Sequence, residues 1–236
     1  DTARLTQPIE VLATPSINFN ASSTAGCSPL NVNFLNSTSN TVGATYNWDF
    51  GNGQTSNVVN PTMVYTQPGF YTVSLTVTNS NGCADDQVFS AMVQVYDTLP
   101  PNETLIYSVS VIDDHKVEII WANNPAIDLA GYIVYRKSDQ SANYNEIYTE
   151  TNIQNTNFNL TSSYIDSGLT TLTKSYTYKV QAIDICGYTI PLDQLTAHTT
   201  VNISSQRSGT NIAVDWTAYS GCPVSTYQLY RAAPGE

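Results

Sequence analysis

Only two of the 236 residues of this chain are histidines, and its many carboxylates and hydroxyls are not spaced for acid–base or nucleophilic chemistry. The two histidines are His115, in an Asp-Asp-His-Lys segment, and His198. A hydrolase triad needs a histidine between a nucleophile and a carboxylate, and neither histidine accompanies a Gly-x-Ser-x-Gly nucleophile motif. We therefore predict that both are solvated histidines, in a turn and in a linker respectively.

Paired carboxylates could hydrolyse a glycosidic bond, and the candidates are the aspartate pairs at 85–86 and 113–114, with Asp128. Neighbouring residues on a strand point to opposite faces, and in a turn both would face solvent. The chain has no Asp-x-Asp-x-Asp-Gly spacing for calcium and no Gly-rich phosphate loop. We predict no catalytic residue, no metal and no cofactor.

Composition and charge exclude some kinds of binding partner and indicate the cellular compartment in which the protein is found. The formal net charge of −11 repels nucleic acid, and no apolar run reaches the roughly 18 residues of a membrane span. Four cysteines without a Cys-x-x-Cys pair favour two disulfides in an exported protein over a zinc site. The chain begins without Met and ends in mid-pattern, so we expect a longer mature protein and a targeting signal outside this sequence.

Short runs with apolar residues at every second position are typical of strands with one buried face. Examples are 31–35, 71–78 and 176–182, and clusters of Gly, Pro, Asn and Ser separate such runs. Helical periodicity is missing. The pattern predicts an all-β protein made of sandwiches.

The second half repeats itself with a period of 95 residues. Trp121 matches Trp216, and the Tyr132–Arg136 segment matches Tyr227–Arg231. This period is the size of one immunoglobulin-like sandwich, roughly 100 residues. We therefore predict one complete module over 102–197 and the incomplete start of another over 198–236.

The first half resembles the polycystic-kidney-disease (PKD) repeat. The resemblance lies in the Tyr46–Gly53 turn (Y-N-W-D-F-G-N-G) and in the 60–82 segment, which carries G-F-Y-T-V-S-L-T-V-T-N. Asn52 and Met63 stand where this family usually has Asp and His, in turn and packing roles. The resemblance implies a PKD-like sandwich over 15–99, preceded at 1–14 by the end strand of another domain.

The second half resembles fibronectin type III modules, through Trp121, the Tyr132 and Tyr135 pair, and Leu169 followed by Tyr176-Thr-Tyr-Lys-Val-Gln-Ala. In that family Tyr176 is the corner tyrosine, whose hydroxyl bonds to nearby backbone. The whole is therefore predicted to be tandem immunoglobulin-like β-sandwiches. The 182–187 segment, followed by an incomplete repeat, resembles the arrangement in surface and secreted proteins of the Bacteroidetes type IX secretion and gliding-motility group.

Aromatic residues allow a sugar-stacking hypothesis, but the families place Trp48, Trp121 and Trp216 at core positions, and we predict core packing for all three. Five tyrosines are less constrained, and exposed tyrosines suit recognition surfaces. They are Tyr107, Tyr144, Tyr148, Tyr164 and Tyr188.

The resemblances also imply covalent features. The PKD family places Cys27 and Cys83 at the same end of the sandwich, which predicts a disulfide between them. Cys186 would then pair with Cys222 across the two fibronectin-like modules, unless the partner of Cys222 lies beyond the present sequence. Exported Bacteroidetes proteins carry O-glycans in Asp-[Ser/Thr]-[small or aliphatic] triplets, which makes Thr2 and Thr98 glycosylation candidates.

These observations predict a non-catalytic spacer and adhesion segment of an exported protein at the cell surface, associated with the outer membrane. Sandwiches joined by Pro-containing linkers would form a stiff rod that holds a distal part of the protein away from the cell. Its partner would be a protein or glycan at that surface, with no nucleic acid and no membrane insertion. Two alternatives stay open: an accessory region of a secreted polysaccharide hydrolase or protease, and a cargo or partner component of the type IX export machinery.

Overall fold

The computed structural model describes residues 13–151, 160–209, 211–221 and 226–227. The chain divides into two compact units, 1–98 and 99–236. In the described part, all regular structure is β apart from one 3₁₀ turn at Leu192–Gln194. The prediction of an all-β protein built from immunoglobulin-like sandwiches is confirmed.

The first unit is a sandwich of a three-stranded and a five-stranded sheet, with strand orders β1-β3-β6 and β2-β8-β7-β4-β5. Its eight strands are β1 (Phe19–Ala21), β2 (Ala25–Cys27), β3 (Leu30–Asn36), β4 (Thr45–Asp49), β5 (Thr55–Ser56), β6 (Thr62–Tyr65), β7 (Gly69–Thr78) and β8 (Ala84–Tyr96).

Alternation along the strands builds the core of this unit. In β3, Val32 and Phe34 are buried while their neighbours are exposed. In β7, Val73, Leu75 and Val77 are buried and alternate with partly exposed residues. Successive side chains of a strand point to opposite faces, so the apolar set of each sheet faces the other sheet. The predicted strands at 31–35 and 71–78 are confirmed.

β8 is the longest strand of the unit and contacts different partners along its length. It pairs antiparallel with β7 from Ala84 onwards, and its last residues pair parallel with β2, where Cys27 lies opposite Tyr96. The register between β7 and β8 shifts between Tyr71 and Val73. Near this bulge Ala91 adopts a φ of 50°, which is left-handed backbone.

The second unit contains a three-stranded sheet, β13-β10-β9, and a four-stranded sheet, β12-β11-β14-β15. A separate hairpin of β16 and β17 follows. The strands are β9 (Ile106–Asp113), β10 (Lys116–Ala122), β11 (Leu129–Ser138), β12 (Asn145–Thr151), β13 (Thr161–Ser167), β14 (Tyr176–Asp184), β15 (His198–Thr199), β16 (Ile203–Ser208) and β17 (Asn211–Trp216).

The core of the second unit lies between its two larger sheets. β10 contributes Val117, Ile119 and Trp121, and alternate residues of β11 and β14, such as Tyr132 and Tyr178, face them. β11 and β12 approach closely at Gly131, where an added Cβ would lie 1.9 Å from the Glu150 carbonyl oxygen. The predicted strand at 176–182 is confirmed by β14.

The four-stranded sheet extends slightly past the predicted module boundary at 197. β15 pairs His198 with Tyr178 and Thr199 with Thr177. The β16–β17 hairpin follows, and Ile203, Ile212 and Trp216 are 61%, 59% and 45% exposed. The hairpin therefore exposes residue types that are buried in the complete sandwich of this unit.

Candidate functional site

The tryptophans were the strongest candidates for ligand stacking, and two of them are core residues. Trp48 and Trp121 are both 0% exposed, as predicted. The indole N–H of Trp48 donates to the Val58 carbonyl at 2.9 Å. A ring without exposed surface cannot stack on an external sugar.

The prediction that Trp216 is a core residue is wrong. Its ring is 45% exposed and lies 5.9 Å from that of Tyr227. The physical reason is that Trp121, its repeat equivalent, is enclosed by two packed sheets, whereas β17 pairs only with β16 in the described part of the chain.

Tyr176 is the corner tyrosine, which confirms the prediction. Its hydroxyl accepts a hydrogen bond from the Thr170 N–H at 3.1 Å, six residues upstream. The bond fixes the connection between β13 and β14.

A partly buried ionic cluster joins the two sheets of the second unit, and no sequence pattern predicted it. Nη1 of Arg136 on β11 donates to both carboxylate oxygens of Asp166 on β13, each at 2.9 Å. The Tyr178 hydroxyl donates to the same carboxylate at 2.8 Å, and burial raises the pKa of Tyr178 far above its usual range. Arg136 follows the inward-facing Tyr132 and Val134 in alternation, and this signal could have marked it as inward.

The two histidines differ in environment. His115 lies in the exposed β9–β10 turn, as predicted, with Nδ1 at 2.9 Å from the Leu169 carbonyl oxygen. The prediction that His198 is solvated is wrong, because β15 pairing places it inside at 1% exposure. Its Nδ1 is hydrogen-bonded to the Tyr219 hydroxyl at 2.6 Å. Burial lowers the pKa of His198, against a smaller opposing effect of Glu103.

The candidate carboxylates lie on different elements. Asp85 and Asp86 are exposed on β8, whereas Asp128 is buried before β11. A hydrogen bond from the His115 N–H is the main cause that lowers the pKa of Asp113, with Lys116 assisting. Among the described residues, no three His, Cys, Asp or Glu side chains are grouped to hold a metal ion.

The predicted Cys27–Cys83 disulfide is wrong. Cys83 is a free, half-buried thiol, whereas Cys27 is disulfide-bonded. Cys27 lies beside Tyr96 at the far end of β8, and Cys83 precedes Ala84 at its start. That strand separates them by about 40 Å at about 3.3 Å per residue, whereas a disulfide needs Cα atoms within about 7 Å.

The other predicted covalent sites are only partly described. Cys222 lies outside the described residues, and Cys186 is disulfide-bonded. The predicted Cys186–Cys222 pair presupposed a Cys27–Cys83 bond. With Cys83 free and Cys27 bonded, it would leave the disulfide of Cys27 with no second cysteine among the four of this chain, so this prediction is wrong as well. Thr98 is exposed in a bend directly after β8. Thr2 lies outside the described residues. Glycosylation of either threonine stays a prediction.

The five less constrained tyrosines fall into three groups. Tyr107 and Tyr188 are exposed, at 56% and 42%. Tyr148 and Tyr164 stack on each other, with ring centroids 4.4 Å apart and planes 17° apart. Tyr144 lies beside two ammonium groups, those of Lys137 at 5.0 Å and Lys179 at 5.1 Å from its ring centroid. This last arrangement is the most unusual polar feature of the second unit.

The first unit has the turn geometry that its sequence predicted. The Asn52 side-chain oxygen accepts the Gln54 N–H at 3.0 Å, and its amide nitrogen lies 3.6 Å from the sulfur of Met63. The two departures from the usual PKD pattern therefore contact each other in this turn. Their predicted turn and packing roles are confirmed.

Two immunoglobulin-like sandwiches define the class of this protein, and comparison with known families identifies the first. Residues 12–95 match the family model described as "PKD domain". The chain is also similar to the PKD1 domain of Vibrio anguillarum Epp, with 34% identity, a TM-score of 0.32, and coverage of 36% of this chain and 100% of that one. The first unit therefore contains a PKD domain.

Longer proteins with similar segments include two proteolytic enzymes. Collagenase ColA of Bacillus cereus is 32% identical over 115 residues, 40% of this chain and 12% of that protein. Pre-pro-metalloprotease PrtV of Vibrio cholerae is 47% identical over 55 residues, 23% of this chain and 6% of that protein. The chain thus spans only a small part of either relative.

A likeness over both units is found with the FN1–FN3 domains of chicken CNTN1. The identity is 16% and the TM-score 0.36, over 80% of this chain and 67% of that one. In the described part of the protein, no helix has the length and apolar character to span a membrane.

Proposed function

We propose that this chain is a non-catalytic spacer and adhesion segment of an exported cell-surface protein. The proposal is supported by one observation: side chains that could bind or react with a substrate are buried or bonded to other side chains within the sandwiches. Trp48 and Trp121 fill cores, Asp166 holds Arg136 and Tyr178, and His198 is buried against Tyr219. These groups stabilise the sandwiches instead of facing a substrate.

Composition and covalent structure support an extracellular location for this segment. Cys27 and Cys186 are disulfide-bonded, and disulfides persist in oxidising compartments. The similarity to parts of a collagenase and a pre-pro-metalloprotease supports the same location. Outer-membrane association and a link to type IX export and gliding motility stay predictions from the sequence resemblance.

A second candidate function is an accessory region that binds the substrate of an attached hydrolase. The similarity to Collagenase ColA over 115 residues favours a protease in that role over a polysaccharide hydrolase. An accessory region of this kind would bind a polymer such as fibrillar collagen without cleaving it.

The test uses the whole chain in two measurements. Incubated with gelatin, casein and soluble polysaccharides, the folded chain should release neither peptides nor reducing ends. Beads coated with it should adhere to cells of the source organism more than beads coated with a heat-unfolded sample. Cleavage of any substrate, or equal adhesion of both bead types, would contradict the proposal.

Co-sedimentation with insoluble collagen separates the two candidates. The adhesion segment should stay in the supernatant, as a serum albumin control does. A chain that pellets with collagen but does not adhere to cells would favour the accessory region.

A further inference from the structure

The few cations of this acidic protein are unevenly distributed. Six of the eight lysines and arginines lie in the described ranges, and four of these six are on β11, on β14 or in the loop before β14. They are Arg136, Lys137, Lys174 and Lys179, which we call the basic strip. The strip is a local cationic surface on a chain of net charge −11.

Three members of the basic strip have no counter-ion among the residues that the structure describes. Within the described residues, the carboxylates within 4.0 Å of a cation pair with Lys116 and Arg136. Lys137, Lys174 and Lys179 have none at that distance. The carboxylates nearby in sequence are engaged elsewhere, since Asp139 accepts the Ser175 N–H and Glu146 accepts the Thr149 hydroxyl.

Lys179 is the most buried lysine of the basic strip, so a bound anion would offset the largest cost of a buried charge there. It is only 7% exposed, and its ammonium donates one hydrogen bond, to the Leu192 carbonyl, while it lies 5.1 Å from the Tyr144 ring centroid. An ammonium carries three donors, and a buried charge is costly unless it is paired. The Lys137 ammonium lies 5.0 Å from the same ring, so two unpaired charges flank one aromatic side chain.

A cleft of about 230 Å³ continues the strip from Lys137 towards Lys174. Arg136 also lines it, and the bonds from Nη1 to Asp166 hold this guanidinium in place. In the described structure Nε and Nη2 of Arg136 make no hydrogen bond, which leaves a planar edge that suits an oxyanion. Polar side chains line the rest of the cleft: Ser138, Ser141 and Asn145.

We propose that the basic strip binds an anionic polysaccharide, whose carboxylate or sulfate groups pair with Lys137 and Lys174 and offset the charge of Lys179. The proposal rests on the adhesion function and names its ligand class. Lys137 and Lys174 line the same cleft, and an extended polymer with repeated charges suits several cations better than a single acid does. The hydroxyl and amide groups of the cleft match the hydroxyls between the charges of a sugar chain.

The experiment measures binding of the full chain at physiological ionic strength to polygalacturonate, dextran sulfate and uncharged dextran. We expect binding to one or both charged polymers and none to dextran, and the preferred polymer identifies carboxylate or sulfate as the group. Lys137→Gln with Lys174→Gln should weaken binding about tenfold or more, the loss expected for removed charge-assisted hydrogen bonds. Lys116→Gln is the matched control, because that lysine pairs with Asp113 in an exposed turn.

Several results would overturn the proposal: no binding to either charged polymer, equal weakening by the control, or equally tight binding of polyglutamate. Melting curves of each variant establish that it is folded, and both replaced lysines of the double variant are partly exposed. The bead assay separates this proposal from the adhesion function. Beads coated with the double variant that adhere as well as wild type would refute the ligand assignment and leave adhesion intact.

Discussion

Trp121 and Trp216 occupy equivalent positions of the 95-residue repeat, yet one is 0% exposed and the other 45%. In both copies apolar residues stand two and four positions before the tryptophan: Ile119 and Val117 in one, Val214 and Ile212 in the other. What differs is the number of packed strands around each ring. At the scale of the residue, function can therefore be assigned only after burial is known.

Replacing Trp121 by Ala should lower the free energy of unfolding of the second unit by about 3–5 kcal/mol, because it removes a large buried ring. Trp216→Ala is the matched control and should cost about 0.5 kcal/mol, as for an exposed site. Denaturant unfolding followed by circular dichroism measures both. Equal losses in the two variants would contradict the burial difference.

At the scale of the element, the length of β8 explains why the predicted Cys27–Cys83 disulfide is wrong, and its bulge explains the left-handed backbone at Ala91. Its 13 residues carry the chain from Cys83 at one end of the sandwich to Tyr96, beside Cys27, at the other. The bulge opposite Tyr71 and Val73 places Ala91 at a φ of 50°, and the Ala91 N–H donates to the Thr72 hydroxyl.

Ala91→Gly should raise the free energy of unfolding of the first unit by up to about 1 kcal/mol. A left-handed conformation costs an L-residue about 1–2 kcal/mol and glycine almost nothing, although glycine loses more chain entropy. Ala84→Gly, in the same strand and exposed, should instead lower it by about 0.5–1 kcal/mol. Thermal unfolding compares the two, and destabilisation by both would argue against strain at Ala91.

At the scale of the whole molecule, each unit has its own core and a buried tyrosine within it. Tyr65 donates to the Phe50 carbonyl at 3.2 Å, and Tyr178 donates to Asp166. Both are 0% exposed, and burial is the main cause that raises the pKa of each far above its usual value. Both units therefore lose stability in alkali.

The direction follows from proton uptake. Above pH about 10 a tyrosine in the unfolded chain ionises, while Tyr65 and Tyr178 stay protonated in the fold. The folded state then binds more protons, so stability falls as pH rises, by about 1.4 kcal/mol per pH unit for each group. Below pH about 10 the stability from this source is fully present.

Urea unfolding between pH 9 and 11.5 measures this loss. Tyr65→Phe should reduce the slope of the first unit by about 1.4 kcal/mol per pH unit, at the cost of one hydrogen bond at neutral pH. Tyr107→Phe, in the second unit, is the exposed-site control: Tyr107 is 56% exposed, so this change should leave the slope of its own unit unaltered. An unchanged slope in the Tyr65 variant would show that burial does not govern the alkaline transition.

Features that depend on consecutive residues could be predicted from the sequence. Alternating runs predicted β3, β7 and β14. Two family patterns predicted sandwiches, the Asn52 turn and a bond of the Tyr176 hydroxyl to nearby backbone, which is the Thr170 N–H. These features depend on local periodicity and on short-range hydrogen bonds. Both can be identified in the sequence without knowing which strands pair with each other.

Contacts between residues far apart in the chain could not be predicted from the sequence, because they depend on how the strands pair. Arg136 and Asp166 are 30 residues apart and belong to different sheets. The burial of His198 and the separation of Cys27 from Cys83 likewise depend on strand order and register. Strand pairing joins segments that are remote in sequence. A shift of the pairing register by one residue would move every side chain of a strand to the opposite face of the sheet. For that reason the basic strip, assembled from two strands and a loop, becomes visible only in the folded protein.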